Sequence, residues 1–309
     1  MEQYPKTLME LESEFSTEGA CRRYLASLRW PKGYRCPKCQ GQKAWEDSAG
    51  LFRCTSCDYK VSVTAGTIFE RTRKPLAVWF RAIWWVTSQK NGASAKGVQR
   101  VLGLGSYETA WTWLHKLRRA MVRPGRDRLK GTVDVDETYV GGVWKGKRGR
   151  GTEGKTLVII AAEHAGDAIG RIRLIQIPDQ SGQSFEKAVS ASVEVGSKVR
   201  TDGLKSYNGM KTLGYQHEIV RKTEVLGENL LPRCHRVASL LKRWLLGTHQ
   251  GAVTHEHLDY YLDEYTFRFN RRTSTYRGML FYRLLQQAMA TPPTTYRGIV
   301  QSVRGTHEH

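Results

Sequence analysis

The sequence has no apolar run that approaches the length of a membrane span, and it is short of acidic residues. A membrane helix needs about 20 consecutive apolar residues, and the N-terminal segment MEQYPKTLMELESEF is acidic and mixed, unlike a secretory signal. We therefore expect a cytoplasmic protein. The 309 residues include 29 acids against 49 Lys and Arg, a formal net charge of +20. Such a chain is typical of proteins that bind nucleic acid, although a basic protein without that role is the alternative.

Cysteine is scarce, and four of the six cysteines fall into two C-x-x-C pairs, while Cys21 and Cys234 stand alone. Without an export signal, metal binding is favoured over disulfides. The fourteen residues between the pairs predict a strand-turn-strand loop. Two such pairs place four thiolates on one tetrahedral Zn²⁺ with no open position, so the site is expected to be structural, whereas a redox dithiol needs only one pair. The predicted zinc ligands are Cys36, Cys39, Cys54 and Cys57.

Residues 75–121 have the periodicity of helices. The first helix carries Trp79, Trp84 and Trp85, which we expect in a hydrophobic core rather than in a cofactor site. A second helix ends at Leu-Gly-Leu-Gly, and Ser106 then caps a third. Two helices joined by a short glycine turn suggest a helix-turn-helix, whose second helix enters the major groove of DNA. A helical hairpin without that role is the alternative.

A strand-rich region begins near residue 130 and carries two candidate acids at strand ends. Its predicted order, β-β-β-α-β-α, fits a ribonuclease-H-like α/β sheet. Asp134 and Asp136 lie on the same face of the first strand, so periodicity does not choose between them. Asp136 is preferred because it is nearer the strand end, where active-site groups of α/β sheets gather. Asp202 ends a later strand just before Gly203.

Two polar residues on one predicted helix complete the candidate site. His235 and Lys242 are seven positions apart, so they share a helix face. Carboxylates at strand ends, joined by a third polar ligand, are what a protein needs to hold Mg²⁺ against a phosphate. The residues predicted to contact the DNA backbone are Arg236, Lys242 and Arg243 on this helix, where Arg233 adds further positive charge, and Lys145, Lys147, Arg148 and Arg150 in a basic loop for which a solvated charge run is the alternative.

Taken in this order, the motifs resemble the DDE superfamily of insertion-sequence transposases, in the ISXO-like branch that carries an N-terminal zinc ribbon. The matching stretches are the four-cysteine ribbon, VTAGTIFERTRKPLAVWF, VDETYVGG, TDGLKSY, SLLKRWLLGTHQG and YLDEYTFRFNRR, from about residue 15 to about residue 295. The resemblance implies a multidomain α+β protein with a zinc ribbon at 15–70, a helical, helix-turn-helix-like DNA-binding segment at 71–125 and a ribonuclease-H-like catalytic domain at 130–295.

The resemblance also implies roles for four residues. The two acids of the family fall on Asp136 and Asp202, and the third metal ligand falls on His235, seven residues before Lys242, where many relatives have Glu. Two divalent ions, Mg²⁺ or Mn²⁺, would bracket a DNA phosphodiester for cleavage and for joining of the 3′-hydroxyl to target DNA. Asp136 would bridge both ions, and Lys242 would hold a flanking phosphate. Because imidazole suits Mn²⁺ better than Mg²⁺, we expect activity to be favoured by Mn²⁺ and lost when His235 is protonated.

Partners and location follow from the same resemblance. The ribbon and the helical segment would bind the terminal inverted repeats of a DNA element, and the catalytic domain would act on these ends and on target DNA. Holding two ends together implies a homo-oligomer, located in the cytoplasm at the nucleoid of a bacterium. Two alternatives remain: a domesticated, non-catalytic DNA-binding regulator, and a nuclease of the same fold that cuts without joining. Fold alone does not separate them.

Overall fold

The protein, described by a computed structural model over residues 4–123, 125–141, 155–220, 230–251 and 253–301, divides into two compact units. The first takes its residues from Met1–Arg123 and Thr273–Gln301, and the second from Pro124–Arg272. Both contain helices and strands, as the predicted α+β class requires. Within the described ranges, no helix combines the length and the apolar content of a membrane span.

The first unit combines a small antiparallel sheet with helices. Its three strands pair in sequence order, with the second strand in the middle, which confirms the strand pairing expected around the cysteines. The strands are β1 (Ala44–Glu46), β2 (Leu51–Cys54) and β3 (Lys60–Ser62), and the helices are α1 (Leu8–Glu14), α2 (Glu18–Arg29), α3 (Leu76–Ser88), α4 (Ala95–Val101), α5 (Tyr107–Ala120), α9 (Arg277–Ala290) and α10 (Tyr296–Gln301).

Tryptophan packing and side-chain capping define the helices of the first unit. Trp79 and Trp84 on α3 are buried, as predicted, whereas Trp85 is only half-buried. The Trp79 ring stacks on that of Trp113 from α5, with 3.6 Å between the ring centroids. Ser106 caps α5 as predicted, because its hydroxyl accepts a hydrogen bond of 3.1 Å from the N–H of Thr109. This bond satisfies one of the backbone donors that a helix start leaves without an intrahelical partner.

The C-terminal helices differ from the predicted domain division. The resemblance predicts a catalytic domain over 130–295, whereas the second compact unit ends at Arg272, and α9 and α10 belong to the first. The reason is the apolar face of α9, which packs against α2, α3 and α5. Phe281, fully buried, lies 5.7 Å from Phe80 and 5.9 Å from Trp84 between ring centroids.

The second unit is built on a five-stranded mixed sheet in the order β6-β5-β4-β7-β8. The three strands of this unit that come first along the chain pair as antiparallel neighbours. The two strands that follow lie parallel to β4 and to each other. The strands are β4 (Thr132–Val140), β5 (Thr156–Ala165), β6 (Ala168–Ile177), β7 (Lys198–Thr201) and β8 (Gln216–Ile219), and the helices are α6 (Gly182–Ser192), α7 (Pro232–His249) and α8 (Leu258–Phe269), with 3₁₀ turns at Lys205–Met210 and His255–His257.

The alternation of β4 separates an apolar face from a polar one. Val133 and Val135 are fully buried in a core that also contains Phe185 and Val189 of α6. Asp134 and Asp136 point to the opposite face, and α7 packs there against β4 and β5. The acids of β4 are therefore presented to the start of α7.

Candidate active site

The four predicted zinc ligands converge on one point. The Sγ atoms of Cys36 and Cys57 lie 3.7 Å apart, and all four Sγ atoms lie within 4.8 Å of one another. Those of Cys39 and Cys54 are 3.6 Å apart. Four sulfurs at 2.3 Å from a tetrahedral Zn²⁺ would be separated by about 3.8 Å. The cluster therefore fits a structural zinc ion with no open coordination position.

Backbone turns place these sulfurs in the same way in both pairs. The residue after each second cysteine, Gln40 or Asp58, has a left-handed backbone with φ of 63° and 60°. The Gln40 N–H donates to the carbonyl of Cys36 at 2.9 Å, and the Asp58 N–H donates to that of Cys54 at 3.0 Å. At Gly41, an added Cβ would lie 3.2 Å from the Cys54 sulfur, so a side chain would crowd the cluster.

The two predicted catalytic acids come together at the junction of β4 and β7. These strands are parallel neighbours in which Asp134 pairs with Arg200, so continuing the register brings Asp136 opposite Asp202. Carboxylate oxygens of Asp136, Asp202 and Glu137 all lie within 4.8 Å of one another. Oxygen-rich clusters of this kind are the donor set that Mg²⁺ and Mn²⁺ prefer. The three carboxylates therefore fit a divalent cation.

Glu137 is the site residue that the sequence analysis missed. It follows Asp136 directly, so its Cβ points to the opposite face of the sheet, yet its longer side chain reaches the same cluster near the strand end. The hydroxyl of Tyr207 donates to Glu137 Oε2 at 3.0 Å, and the fully buried Tyr207 ring packs against Phe185. Burial and the adjacent Asp136 charge raise the pKa of Glu137, because both disfavour a further negative charge. An acidic pair near a strand end was the available sequence signal.

His235 lies against the first of these acids. Its Nε2 atom is 3.1 Å from Asp136 Oδ2, and its side chain is 56% exposed in the first turn of α7. Burial raises the pKa of Asp136. The interaction with His235 partly offsets this increase, and the nearby Asp202 charge adds to it. The histidine thus approaches the carboxylate cluster from the helix, where an unprotonated imidazole nitrogen can serve as a metal ligand.

Lys242 occupies the same face of α7 as His235, two helical turns further on. Partial removal of its ammonium from water and repulsion from Lys155, near the start of β5, lower the pKa of Lys242. Arg236 and Arg243 are exposed on the same helix, so this part of the surface carries several positive charges. The other predicted DNA contacts, Lys145, Lys147, Arg148 and Arg150, lie outside the described residues.

The structure also distinguishes the two acids that periodicity left equivalent. Asp134 is fully buried, and its Oδ1 atom is 2.7 Å from His164 Nε2 and accepts a hydrogen bond of 3.1 Å from Arg200. Asp136, with 16% of its side chain exposed, faces the other acids instead. This difference in surroundings favours Asp136 as the acid that is accessible to a ligand.

Comparison with known proteins gives two family matches and one relative. Residues 128–270 match the ISXO2-like transposase domain, and residues 16–60 match the transposase zinc-ribbon domain. A protein from Halobacterium salinarum, named as an uncharacterized protein in transposable element ISH50, is 27% identical over 277 residues, covering 82% of this chain and 91% of that protein. The first match spans the carboxylate cluster and His235, and the second spans the four cysteines.

Proposed function

The chain belongs to the ISXO2-like transposases, DDE-superfamily proteins of insertion sequences with an N-terminal zinc ribbon, and we propose that it cleaves the ends of a DNA element and joins their 3′-hydroxyls to target DNA. The observation that carries the proposal is the cluster of Asp136, Asp202 and Glu137 oxygens within 4.8 Å of one another, inside the region that matches the transposase domain.

We propose a ribonuclease-H-like fold for the second unit and a helix-turn-helix for α4 and α5. The sheet order β6-β5-β4-β7-β8, with three antiparallel strands followed by two parallel ones, supports the first assignment. The packing of α4 on α5 and the Ser106 cap support the second. In this arrangement α5 would enter the major groove of DNA.

The proposed chemistry divides among residues of three elements. Asp136, Asp202 and His235 would hold the divalent ions, since Asp136 lies close to both of the other residues. Two bound ions would supply Lewis-acid stabilisation of the scissile phosphate and activation of the attacking water or 3′-hydroxyl. Lys242 would hold a flanking phosphate as a flexible point charge.

We propose that basic residues outside the carboxylate cluster also contact the DNA. Arg236 and Arg243 would bind backbone phosphates beside the cleavage site, and the basic loop with Lys145, Lys147, Arg148 and Arg150 remains a sequence-based expectation. The ribbon and α5 would bind the terminal inverted repeats. A homo-oligomer would hold two element ends together, and the cytoplasmic location stays a prediction.

One assay separates the proposed transposase from its two alternatives. Purified full-length protein is incubated with labelled element-end DNA and target DNA, with Mg²⁺ or Mn²⁺ or with EDTA. We expect cleaved ends and joined products that require the metal. Cleaved ends without joined products would indicate a nuclease of the same fold, and DNA that is shifted but uncut would indicate a regulator.

The role of His235 has its own test. We expect His235→Ala to lose strand cleavage, because the site then lacks its proposed third ligand. We expect His235→Glu to cleave with a higher ratio of Mg²⁺-supported to Mn²⁺-supported rate than the parent, because a carboxylate is the harder donor. Cleavage by His235→Ala at the parental rate would exclude a metal-binding role for this residue.

A further inference from the structure

Three of the four residues at the proposed metal site, all except Glu137, share a pattern: the residues two positions before them in the chain contact one another. Asp136, Asp202 and His235 come from β4, the end of β7 and α7. Two residues before them stand Asp134, Arg200 and Arg233, respectively, and these three side chains meet. Each element that carries a candidate ligand is thus connected to the other two through one buried group.

Asp134 is the centre of this connection. It is fully buried, and its Oδ1 atom accepts a hydrogen bond of 3.1 Å from Arg200 Nη1 and lies 2.7 Å from His164 Nε2. Its Oδ2 atom lies 3.8 Å from Arg233 Nη1. Removing charge from such a group leaves neighbouring cations without compensation in a site that water barely reaches.

Arg233 and Cys234 fix the start of α7 on the sheet. The Arg233 guanidinium donates to the carbonyl of Gly166 at 2.9 Å, at the turn between β5 and β6. The buried Cys234 thiol donates to the carbonyl of Asp134 at 3.3 Å. His235 follows directly in the chain, so the orientation of its ring toward Asp136 depends on these contacts.

Arg200 makes the corresponding connection on β7. Its side chain donates through Nε to Glu218 of β8 at 3.0 Å and through Nη1 to Asp134. The guanidinium is therefore fixed from both sides, and the strand end that presents Asp202 is held beside β4.

We propose that Asp134 is a positioning residue of the metal site: through its hydrogen bond from Arg200 and its ion pair with Arg233, it orients Asp202 and His235 toward Asp136. This inference rests on the proposed function, in which Asp136, Asp202 and His235 bind divalent cations. Asp134 itself is fully buried and would not contact the cation. It acts as outer-shell groups of metal sites do, by fixing the direction in which the ligands point.

The test is a double-mutant cycle on metal affinity in the full-length protein. Mn²⁺ affinity is measured from the electron paramagnetic resonance signal of free Mn²⁺, for the parent, Asp134→Asn, His235→Ala and the double variant. We expect Asp134→Asn to weaken affinity about tenfold or more. We expect the double variant to lose less affinity than the product of the two single losses, because Asp134 acts partly through His235. Losses that multiply, or parental affinity in Asp134→Asn, would overturn the proposal.

Glu163→Gln is the matched control, since Glu163 is an ion-paired carboxylate of the same sheet that binds Arg171 instead. It should lower thermal stability without changing Mn²⁺ affinity, which separates positioning from a general loss of sheet ion pairs. If Asp134→Asn does not fold by circular dichroism, Arg233→Gln takes its place in the cycle. Arg233→Lys, which keeps the charge, should then recover part of the affinity.

A crystal structure gives a readout that needs no metal and no activity. In metal-free Asp134→Asn, we expect His235 Nε2 to leave its position 3.1 Å from Asp136 Oδ2. An unchanged contact would overturn the positioning role even if the protein is a transposase. Conversely, a parent that binds no Mn²⁺ would refute the proposed metal site, while a displaced His235 would still support the structural part of the inference.

Discussion

Three acids within four residues of β4 have different surroundings. Asp134 is buried among cations, Asp136 faces Asp202 and His235, and Glu137 bends into the same cluster from the other face of the strand. Alternation along a strand gives the direction of a Cβ atom, but the length of the side chain and the neighbouring helices decide the position of its carboxylate group. Chemically similar residues in one motif therefore take different roles.

Replacing Glu137 should stabilise the metal-free protein. Its pKa is raised in the fold, so ionisation opposes folding above that pKa, and this effect disappears as pH falls through it. We expect Glu137→Gln, measured without added Mg²⁺ or Mn²⁺, to melt at a higher temperature than the parent at pH 8, with a difference that shrinks toward acidic pH. A difference that grows as the pH falls would contradict a raised pKa.

At the scale of elements, the starts of α5 and α7 are determined in two different ways. Ser106 fixes where α5 begins, and the Trp79–Trp113 stack seats α5 on α3. The start of α7 depends instead on the sheet, through Arg233 and Cys234. The first kind of boundary can be read from adjacent residues, whereas the second depends on groups far away in sequence.

Removing the α5 cap should destabilise the first unit. Ser106→Ala loses the hydrogen bond to the Thr109 N–H and should cost about 1 kcal/mol. Seven of the nine tryptophans lie in Met1–Arg123, so thermal unfolding followed by tryptophan fluorescence reports on this unit. Ser13→Ala, at an exposed position in α1, is the control and should be neutral or slightly stabilising. Equal melting temperatures for Ser106→Ala and the parent would contradict the capping role.

At the scale of the whole molecule, a net charge of +20 is combined with a cluster of acids that would repel DNA unless cations are bound. The helix α7, whose His235 lies 3.1 Å from Asp136 of that cluster, also carries the exposed Arg236, Lys242 and Arg243, which can contact phosphates. In the proposed function, the charge would supply affinity for DNA in general, and the acids with their cations would confine the chemistry to one position.

The salt dependence of DNA binding should report the α7 contacts. Arg236→Gln and Arg243→Gln should each reduce the slope of log affinity against log salt by about 0.9, the loss of one phosphate contact. Lys187→Gln is the control, because Lys187 is exposed on α6, which packs on the opposite face of the sheet. An equal reduction in Lys187→Gln would show that net charge alone, rather than the α7 surface, sets the slope.

Local patterns in the sequence predicted the four-cysteine cluster, the Ser106 cap and the strands that carry Asp136 and Asp202, because each depends on residues that are near in the chain. The packing of α9 with the first unit was not predictable in this way, since its partners lie about 200 residues earlier. The same holds for the Asp134 contacts and for Glu137, which depend on how separate elements meet. Periodicity alone does not contain that information.

The measurement that tests the central claim most directly is single-turnover cleavage of element-end DNA by Asp202→Asn beside the parent, with DNA binding measured in parallel. Asparagine keeps the size of the side chain and removes the charge that the proposed site needs to hold a divalent cation. We predict a metal-dependent rate that falls by roughly a thousandfold, the equivalent of several kcal/mol of lost transition-state stabilisation, while DNA affinity is kept. Cleavage by Asp202→Asn at the parental rate would contradict the assignment of this carboxylate cluster as the active site.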